Sequence, residues 1–193
     1  QRTEHEQLLR LRNELQISQL NALKKQLQPH FLFNSLNSIN ALIGTSATEA
    51  RKMLQQLGEF LRATLKKEDQ QWVRLQDELR IVELYLDIEK VRFGNRLSTA
   101  INLQPATGEA GIPSMLLQPL VENAIKFGLY DTTGSTEITI HARLEDGLLQ
   151  ITVENPFDEN TATAGNGTGF GLSSVQRRLF LLFGRNDLLK TES

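Results

Sequence analysis

Leucines recur at heptad spacing along the first part of the chain, in a segment rich in charged residues and glutamine. They fall in two runs separated by a shift of phase: Leu8, Leu11 and Leu15, then Leu20, Leu23 and Leu27. Neither Gly nor Pro interrupts residues 4–27. Because so polar a helix buries little apolar surface unless it pairs, we favour a parallel coiled coil over residues 1–27, and an exposed single helix is the alternative.

Two shorter amphipathic helices are predicted next, over about residues 29–43 and 48–66. The polar turn at residues 44–46 favours an antiparallel helical hairpin within residues 28–69. The apolar residues of the first helix lie at helical spacing and define its predicted core face: Leu32, Leu36, Ile39 and Ile43. A single hairpin cannot cover such a face, so we expect a homodimer whose two hairpins form a four-helix bundle.

Helices and period-two strands alternate in residues 70–193, which we predict to be a separate domain. The predicted elements are a helix (about 76–93), a strand from Leu97, a helix from Pro113 to about Phe127, two strands and a helix (about 172–183). The two later strands flank the hairpin turn Asp146-Gly147. This order predicts an α+β fold, in which an α/β sandwich follows the helical segments.

Composition narrows the possible functions of this 193-residue chain. Hydrophobic residues make up 39% and charged residues 23%, which is a globular balance. The formal net charge of −2 gives no basic field, so nucleic-acid binding gains no support. The absence of cysteine excludes disulfides and thiolate zinc sites, and it fits a reducing compartment. No apolar run approaches the roughly 20 residues that a membrane-spanning helix needs.

His30 is the first candidate for chemistry. It lies two residues before Leu32, roughly 200° around a helix, so it points away from the predicted core face and shares a polar face with Asn34 and Asn37. A neutral imidazole is a nucleophile near pH 7. Taken alone, an exposed histidine is more often an ordinary surface residue, and we assign His5 and His141 to that class.

Two further segments carry candidate binding residues. The helix that includes Glu122, Asn123 and Lys126 has a polar side, and an amide oxygen beside bound phosphates is a reasonable Mg²⁺ ligand. The later loop has glycines at alternate positions and runs directly into a helix, which favours close approach to a phosphate: Gly165, Gly167, Gly169 and Gly171. It matches neither the Rossmann fingerprint nor the P-loop, and a flexible surface loop is the alternative.

In this order, the segments resemble LytS-type sensor histidine kinases, within the wider group that has the gyrase-, Hsp90- and MutL-like (Bergerat) ATP-binding fold. The resemblance covers about residues 24–185. Its specific pieces are LQPHFLFN (27–34), Tyr85-Leu86 through Glu89, RFGNRL (92–97), QPLVENAIK (118–126) and GTGFGL (167–172).

The resemblance implies a role for each candidate residue. His30 would be the phosphoacceptor, and Asn123 would coordinate the Mg²⁺ that bridges the phosphates of ATP. The residues of the glycine-rich loop would hold the phosphates: Gly165, Gly167, Thr168, Gly169, Gly171 and Leu172. Lys126 would approach a phosphate, and Glu122 is the candidate base, with Asn34 as a further catalytic candidate. The phosphoryl group would then pass to an aspartate on the receiver domain of a response regulator.

Three positions depart from related ATP-binding domains and histidine kinases. Asn155 stands where related domains carry the Asp that binds the adenine amino group. Phe31 stands where many other histidine kinases place an acid directly after the phosphohistidine, as the LytS-type pattern has it. The family also continues into closing strands, so the C-terminal strands are expected to be incomplete at Ser193.

The resemblance also implies a cellular setting, the cytoplasmic portion of a membrane-anchored bacterial sensor whose upstream membrane segment is not in this sequence. Two alternatives remain open. One is a non-catalytic dimeric signalling module with a degenerate nucleotide site, which Asn155 keeps open. The other is another Bergerat-fold ATPase or a protein-serine kinase, against which the His30 segment argues because those proteins have no phosphoacceptor hairpin.

Overall fold

A computed structural model of the chain describes residues 29–66, 70–130, 133–156 and 170–191, together with Gln7, which is helical. The chain divides into two compact units, Gln1–Leu54 and Gln55–Ser193. Apart from Gln7, the predicted coiled coil lies outside the described residues. So do four of the predicted phosphate-loop residues: Gly165, Gly167, Thr168 and Gly169.

Two helices follow each other at the predicted places. Helix α1 covers Pro29–Ile43, and helix α2 covers Ala47–Lys66 and continues from the first unit into the second. Ser46 caps α2, because its hydroxyl oxygen accepts a hydrogen bond from the backbone N–H of Glu49 at 3.4 Å. The Ser-x-x-Glu spacing at this point is a typical helix-start signal, which explains why the sequence placed the boundary within one residue.

Within one chain, the buried face of α1 is not the face that we expect a dimer to cover. Phe31, Ser35 and Ile39 are buried, whereas Leu36 and Ile43 are 45% and 62% exposed. Of the predicted core-face residues, only Ile39 is buried within one chain. That a second hairpin covers Leu36 and Ile43 stays a prediction. Two neighbouring apolar stripes both have helical spacing, so periodicity alone does not separate them. Ser35 is tolerated inside because its hydroxyl donates to the Phe31 carbonyl at 2.7 Å.

The second unit holds the remaining helices and the described strands. The helices are α3 (Leu75–Phe93), α4 (Leu117–Ile125) and α5 (Phe170–Phe183). The strands are β1 (Trp72–Arg74), β2 (Leu97–Leu103), β3 (Gly111–Pro113), β4 (Thr136–Glu145) and β5 (Leu148–Glu154). β1 pairs antiparallel with β3, and a separate sheet has the order β2-β4-β5, with β2 parallel and β5 antiparallel to β4. The predicted α+β class is thus present.

The core of this unit lies between the three-stranded sheet and helices α3 and α4. Inward residues of β4 alternate with outward ones, and Ile138 and Ile140 are fully buried. Asp146 and Gly147 both have positive φ angles, 50° and 77°, as the tightest hairpin turns require. The predicted hairpin of β4 and β5 is confirmed, with Glu145 opposite Leu148.

The start of α4 was predicted wrongly. Pro113 does not open the helix but ends β3, where it pairs with Trp72, and the helix begins only at Leu117. Between them, Met115 takes a left-handed conformation with φ 58°. The buried Glu78 carboxylate of α3 accepts the N–H groups of Met115 at 3.1 Å and Leu117 at 3.3 Å, so a cap from another helix sets the boundary. The helical region ends in a π turn, Lys126–Tyr130.

Gly128 in this π turn should not tolerate a side chain. A Cβ there would lie 2.7 Å from Thr136 Cγ2, and the Thr136 hydroxyl donates to the Gly128 carbonyl at 2.7 Å. We expect Gly128→Ala to lower the free energy of unfolding by about 1–3 kcal/mol, measured by urea denaturation followed by circular dichroism. Gly134→Ala is the matched control, since its Cβ would meet nothing within 4 Å. Equal midpoints for the two variants would contradict this packing.

Candidate functional site

Helix α4 presents two of the predicted site residues at the edge of the core. Glu122 and Asn123 are half-buried, and the Gln118 side-chain amide donates to Glu122 Oε1 at 2.9 Å. Lys126 follows the helix and is exposed, with its ammonium 5.6 Å from the ring centroid of Phe127. The Glu122 carboxylate is thus held by a hydrogen bond, the Asn123 amide is half-buried beside it in the sequence, and the Lys126 ammonium is exposed.

Other predicted site residues lie on elements that pack against α4. Asn155 directly follows β5, which contacts α4, and its side-chain amide donates to the Pro156 carbonyl at 3.2 Å. Gly171 and Leu172 lie in the first turn of α5, which also packs on α4. A Cβ on Gly171 would lie 3.6 Å from the Pro119 carbonyl oxygen, so the two backbones approach closely. The structure therefore brings the start of α5 to α4 and packs β5, the strand before Asn155, on the same helix.

His30 is exposed in the first turn of α1, in the other unit. The Asn34 side-chain Nδ2 donates to His30 Nδ1 at 2.9 Å, one helical turn away. The two ends of an amide have the same shape, so the opposite orientation lets Nδ1–H donate to Asn34 Oδ1 and leaves the Nε2 lone pair available. Phe31 is 3% exposed and turns inward, which leaves the imidazole at the surface.

Glu89 is a residue that the sequence did not single out for a role. Its side chain is 1% exposed, and its Oε2 has no hydrogen-bond partner among the described residues. Arg92 lies one turn further along α3, with a guanidinium nitrogen 3.9 Å from that oxygen. Burial raises the pKa of Glu89 from 4.5 to about 7; the charge of Arg92 opposes this shift and that of Glu122 adds to it.

Arg92 links this carboxyl to the turn after α4. Its guanidinium donates to the Tyr130 hydroxyl at 2.7 Å and lies 4.7 Å from the ring centroids of both Phe93 and Tyr130. Burial, with Glu89 and Glu122 nearby, holds the pKa of Tyr85 well above its usual range. Tyr85, Glu89 and Arg92 are spaced to share one face of α3, which is the signal that could have revealed this cluster.

The described residues show neither a metal cluster nor a membrane-spanning helix. They contain no group of three or more His, Asp or Glu side chains arranged to hold a metal ion. None of the helices in these parts of the chain is both long enough and apolar enough to cross a membrane. A surface depression of about 420 Å³ between α3 and β2 contains none of the predicted site residues; it is lined by Glu83, Leu86, Asp87, Lys90, Thr99 and Ile101.

Known proteins similar to this chain are described as histidine kinases or as sensor proteins. A family profile described as histidine kinase matches residues 18–97. Sensor histidine kinase BtsS of Escherichia coli strain K12 is 36% identical over 167 residues, which are 86% of this chain and 29% of that protein. Sensor protein LytS of Bacillus cereus is 30% identical and that of Staphylococcus epidermidis 32%, each over 190 residues, 93% of this chain and 32% of the relative. The chain spans about a third of the length of these curated relatives.

The stability of the protein should depend on the protonation of Glu89. Because its pKa rises from 4.5 to about 7 on folding, its contribution to stability is fully present below pH 4.5 and is lost as the pH rises through 7. The loss is on the order of 3 kcal/mol in the free energy of unfolding. Glu89→Gln keeps the shape without the titration, so the difference between native protein and variant should change by about this amount between pH 4.5 and 8.

Urea denaturation at several pH values measures this difference. Glu83→Gln on the exposed side of α3 is the matched control and should run parallel to the native protein. Parallel curves for Glu89→Gln and the native protein would show that the Glu89 carboxyl is ionised in the folded state at neutral pH.

Proposed function

The chain belongs to the histidine kinase family, in its LytS type, and we propose that it phosphorylates its own His30 from ATP as part of a two-component sensor. The observation that carries the proposal is the exposed His30 imidazole, which Asn34 orients in the first turn of α1. This residue lies within the 18–97 segment that matches the family. The curated relatives named above are sensor proteins, which supports the same role for this chain.

His30 would act as the nucleophile. With Asn34 Oδ1 accepting from Nδ1–H, the Nε2 lone pair is free to attack the γ-phosphorus of ATP in line with the departing ADP oxygen. A P–N bond forms and the P–O bond to ADP breaks, and the proton that the ring then releases passes to a base, for which we propose Glu122. Since such a reaction needs little covalent chemistry from the protein, positioning and charge neutralisation supply most of the catalysis.

Helix α4 and its neighbours would hold the nucleotide. Asn123 offers an amide oxygen, and a site with one protein oxygen fits Mg²⁺, which keeps waters and binds through substrate phosphates. When bound, Mg²⁺ would neutralise charge on the phosphates. Gly171 and Leu172 begin α5, whose N-terminal N–H groups favour a phosphate, and Lys126 would approach one from solvent. The loop residues Gly165, Gly167, Thr168 and Gly169 would complete the phosphate site.

Asn155 is compatible with adenine. Its Nδ2 donates to the Pro156 carbonyl, which uses the donor side of the amide, while an adenine amino group needs the acceptor Oδ1. The Asn that replaces the family's Asp can therefore still accept from the base. This geometry favours nucleotide binding over the alternative of a degenerate site.

We also propose the partners that such a kinase needs. The phosphoryl group would pass from His30 to an aspartate of a response-regulator receiver domain. The kinase would be a homodimer, and an exposed apolar stripe in the first unit supports this: Phe33, Leu36, Ile43 and Leu54 are 66%, 45%, 62% and 55% exposed. In the whole sensor, this chain would form the cytoplasmic portion of a membrane-anchored protein.

Phosphorylation with γ-labelled ATP and Mg²⁺ tests the proposal directly. We expect acid-labile label on the native chain, and only background label on His30→Ala, which lacks the nucleophile. Asn123→Ala should also fall to background, because it removes the proposed metal ligand. Asn37→Ala, exposed on the same helix as His30, is the matched control and should be labelled like the native chain.

Other labelling results would contradict a particular part of the proposal. Label on His30→Ala would place the acceptor at another residue. Full label on Asn123→Ala would remove that residue from the nucleotide site. A native chain that takes up no label would favour the non-catalytic signalling module.

Dimerisation should depend on the exposed apolar stripe of α1. Leu36→Arg puts a charge where a second copy would bury an apolar side chain, so we expect monomers in sedimentation velocity at concentrations where the native chain is dimeric. Ala41→Arg, which is exposed on another side of α1, should leave the dimer intact. A dimeric Leu36→Arg variant would show that the subunits pair through a different surface.

A further inference from the structure

Ser114 joins three parts of the second unit through one small, buried side chain, which is 1% exposed. Its hydroxyl donates to the Gln70 carbonyl at 2.5 Å and accepts from the Arg178 guanidinium at 3.2 Å. Its backbone N–H donates to the Gln71 carbonyl at 3.1 Å. The segment that enters β1, the end of β3 and helix α5 therefore meet at this residue.

We propose that Ser114 is a positioning residue for the nucleotide site, because its hydroxyl ties α5 to the residues that start α4. The inference rests on the proposed kinase function and concerns a residue that no sequence motif singles out. Ser114 itself does not lie on either helix and would not touch the nucleotide. It would act through the relative placement of Asn123 on α4 and Gly171 on α5.

The link to α5 is formed well away from the glycine-rich loop. Arg178 lies about two helical turns after Gly171, so the hydrogen bond to Ser114 holds the body of the helix. The same half of α5 contacts β1, since the rings of Trp72 and Phe183 lie edge to face with centroids 5.8 Å apart. With its body fixed in this way, α5 presents its first turn to Pro119 of α4.

The link to α4 passes through a strained turn. Met115 directly follows Ser114 and has φ 58°, a left-handed conformation that is unfavourable for a residue with a side chain. Such a conformation persists only when its surroundings hold it. Glu78 accepts the Met115 N–H at 3.1 Å on one side, and Ser114 anchors the preceding residue to the chain entering β1 on the other.

Loss of the Ser114 hydroxyl should therefore change nucleotide binding rather than the chemical step. In Ser114→Ala, the Arg178 guanidinium and the Gln70 carbonyl lose their partner, and α5 can shift relative to α4. We expect KM for ATP to rise about fivefold, the effect of losing the hydrogen bond between Arg178 and Ser114 that holds α5, with kcat within about twofold of the native value. Ser114→Thr retains the hydroxyl and should restore a near-native KM.

Arg178→Met tests the same link from α5 without changing the volume of the buried turn. It should raise KM by a similar factor, and the double variant Ser114→Ala/Arg178→Met should show no further rise, because both changes remove the same hydrogen bond between Arg178 and Ser114. Ser98→Ala, exposed on β2, is the control and should leave KM unchanged. Independent, multiplying effects of the two substitutions would overturn the proposed link.

Two measurements separate this inference from the proposed function. A titration with a fluorescent ATP analogue gives the dissociation constant without phosphorylation, and it should show the same fivefold loss of affinity in Ser114→Ala. Unchanged affinity and KM with a lower kcat would indicate only a smaller folded fraction and would overturn the positioning role. A native chain that binds no nucleotide would overturn both the inference and the proposed function.

Discussion

The position of helix α4 depends on a carboxylate that comes from a different helix. Glu78 of α3 is 1% exposed, and a buried charge is costly unless hydrogen bonds compensate it. Its two oxygens accept the N–H groups of Met115 and Leu117, which the helix cannot satisfy itself, and the positive end of the α4 dipole adds to the attraction. Every described candidate for nucleotide binding lies on α4 or on an element that packs against it, so their mutual placement rests on this contact.

A second buried acid on α3, Glu89, is compensated less fully by hydrogen bonds than Glu78. Glu89 is as buried as Glu78, but its Oε2 has no hydrogen-bond partner among the described residues, and its pKa of about 7 means that it is partly protonated at neutral pH. Sequences usually break such rules where function requires it. The influence of Glu122 on the pKa of Glu89 shows that the unsatisfied acid lies close to the proposed base. The contrast suggests that Glu78 serves the fold, whereas Glu89 destabilises it next to the candidate site.

Sequence reasoning was accurate where the determining signal is local. The hairpin of β4 and β5 depends on Asp146 and Gly147, which adopt positive φ themselves, and the start of α2 depends on Ser46 three residues before Glu49. The sequence-based prediction was wrong where residues distant in the chain determine where an element begins. Pro113 is acceptable at a helix start, but pairing with Trp72 and the cap from Glu78 move that start to Leu117.

The residues of the candidate site also differ in whether a local sequence pattern could reveal them. His30, Glu122 and Asn123 could be picked out because each follows a motif or a polar helix face, and the structure leaves all three at least partly accessible. Ser114 could not, since nothing near it in the chain shows that Arg178 will lie beside it. For Glu89, the helical spacing to Arg92 was visible in the sequence, but its burial and the contact of Arg92 with Tyr130 were not. Residues that touch a ligand tend to carry a recognisable local pattern, whereas residues that position others are defined by contacts between distant segments.

The division of the chain into two compact units bears on the proposed reaction. The acceptor and the nucleotide helix belong to separate compact units, so phosphoryl transfer requires the two units to meet productively. Each unit prepares its own part beforehand: Asn34 orients the imidazole of His30, and Glu78 and Ser114 fix the helices that would hold ATP. Such preparation lowers the entropy cost of the encounter, which is the main contribution a protein can make to a reaction that needs so little covalent chemistry. Control of the kinase can then act on the meeting of the two units while both sites remain unchanged.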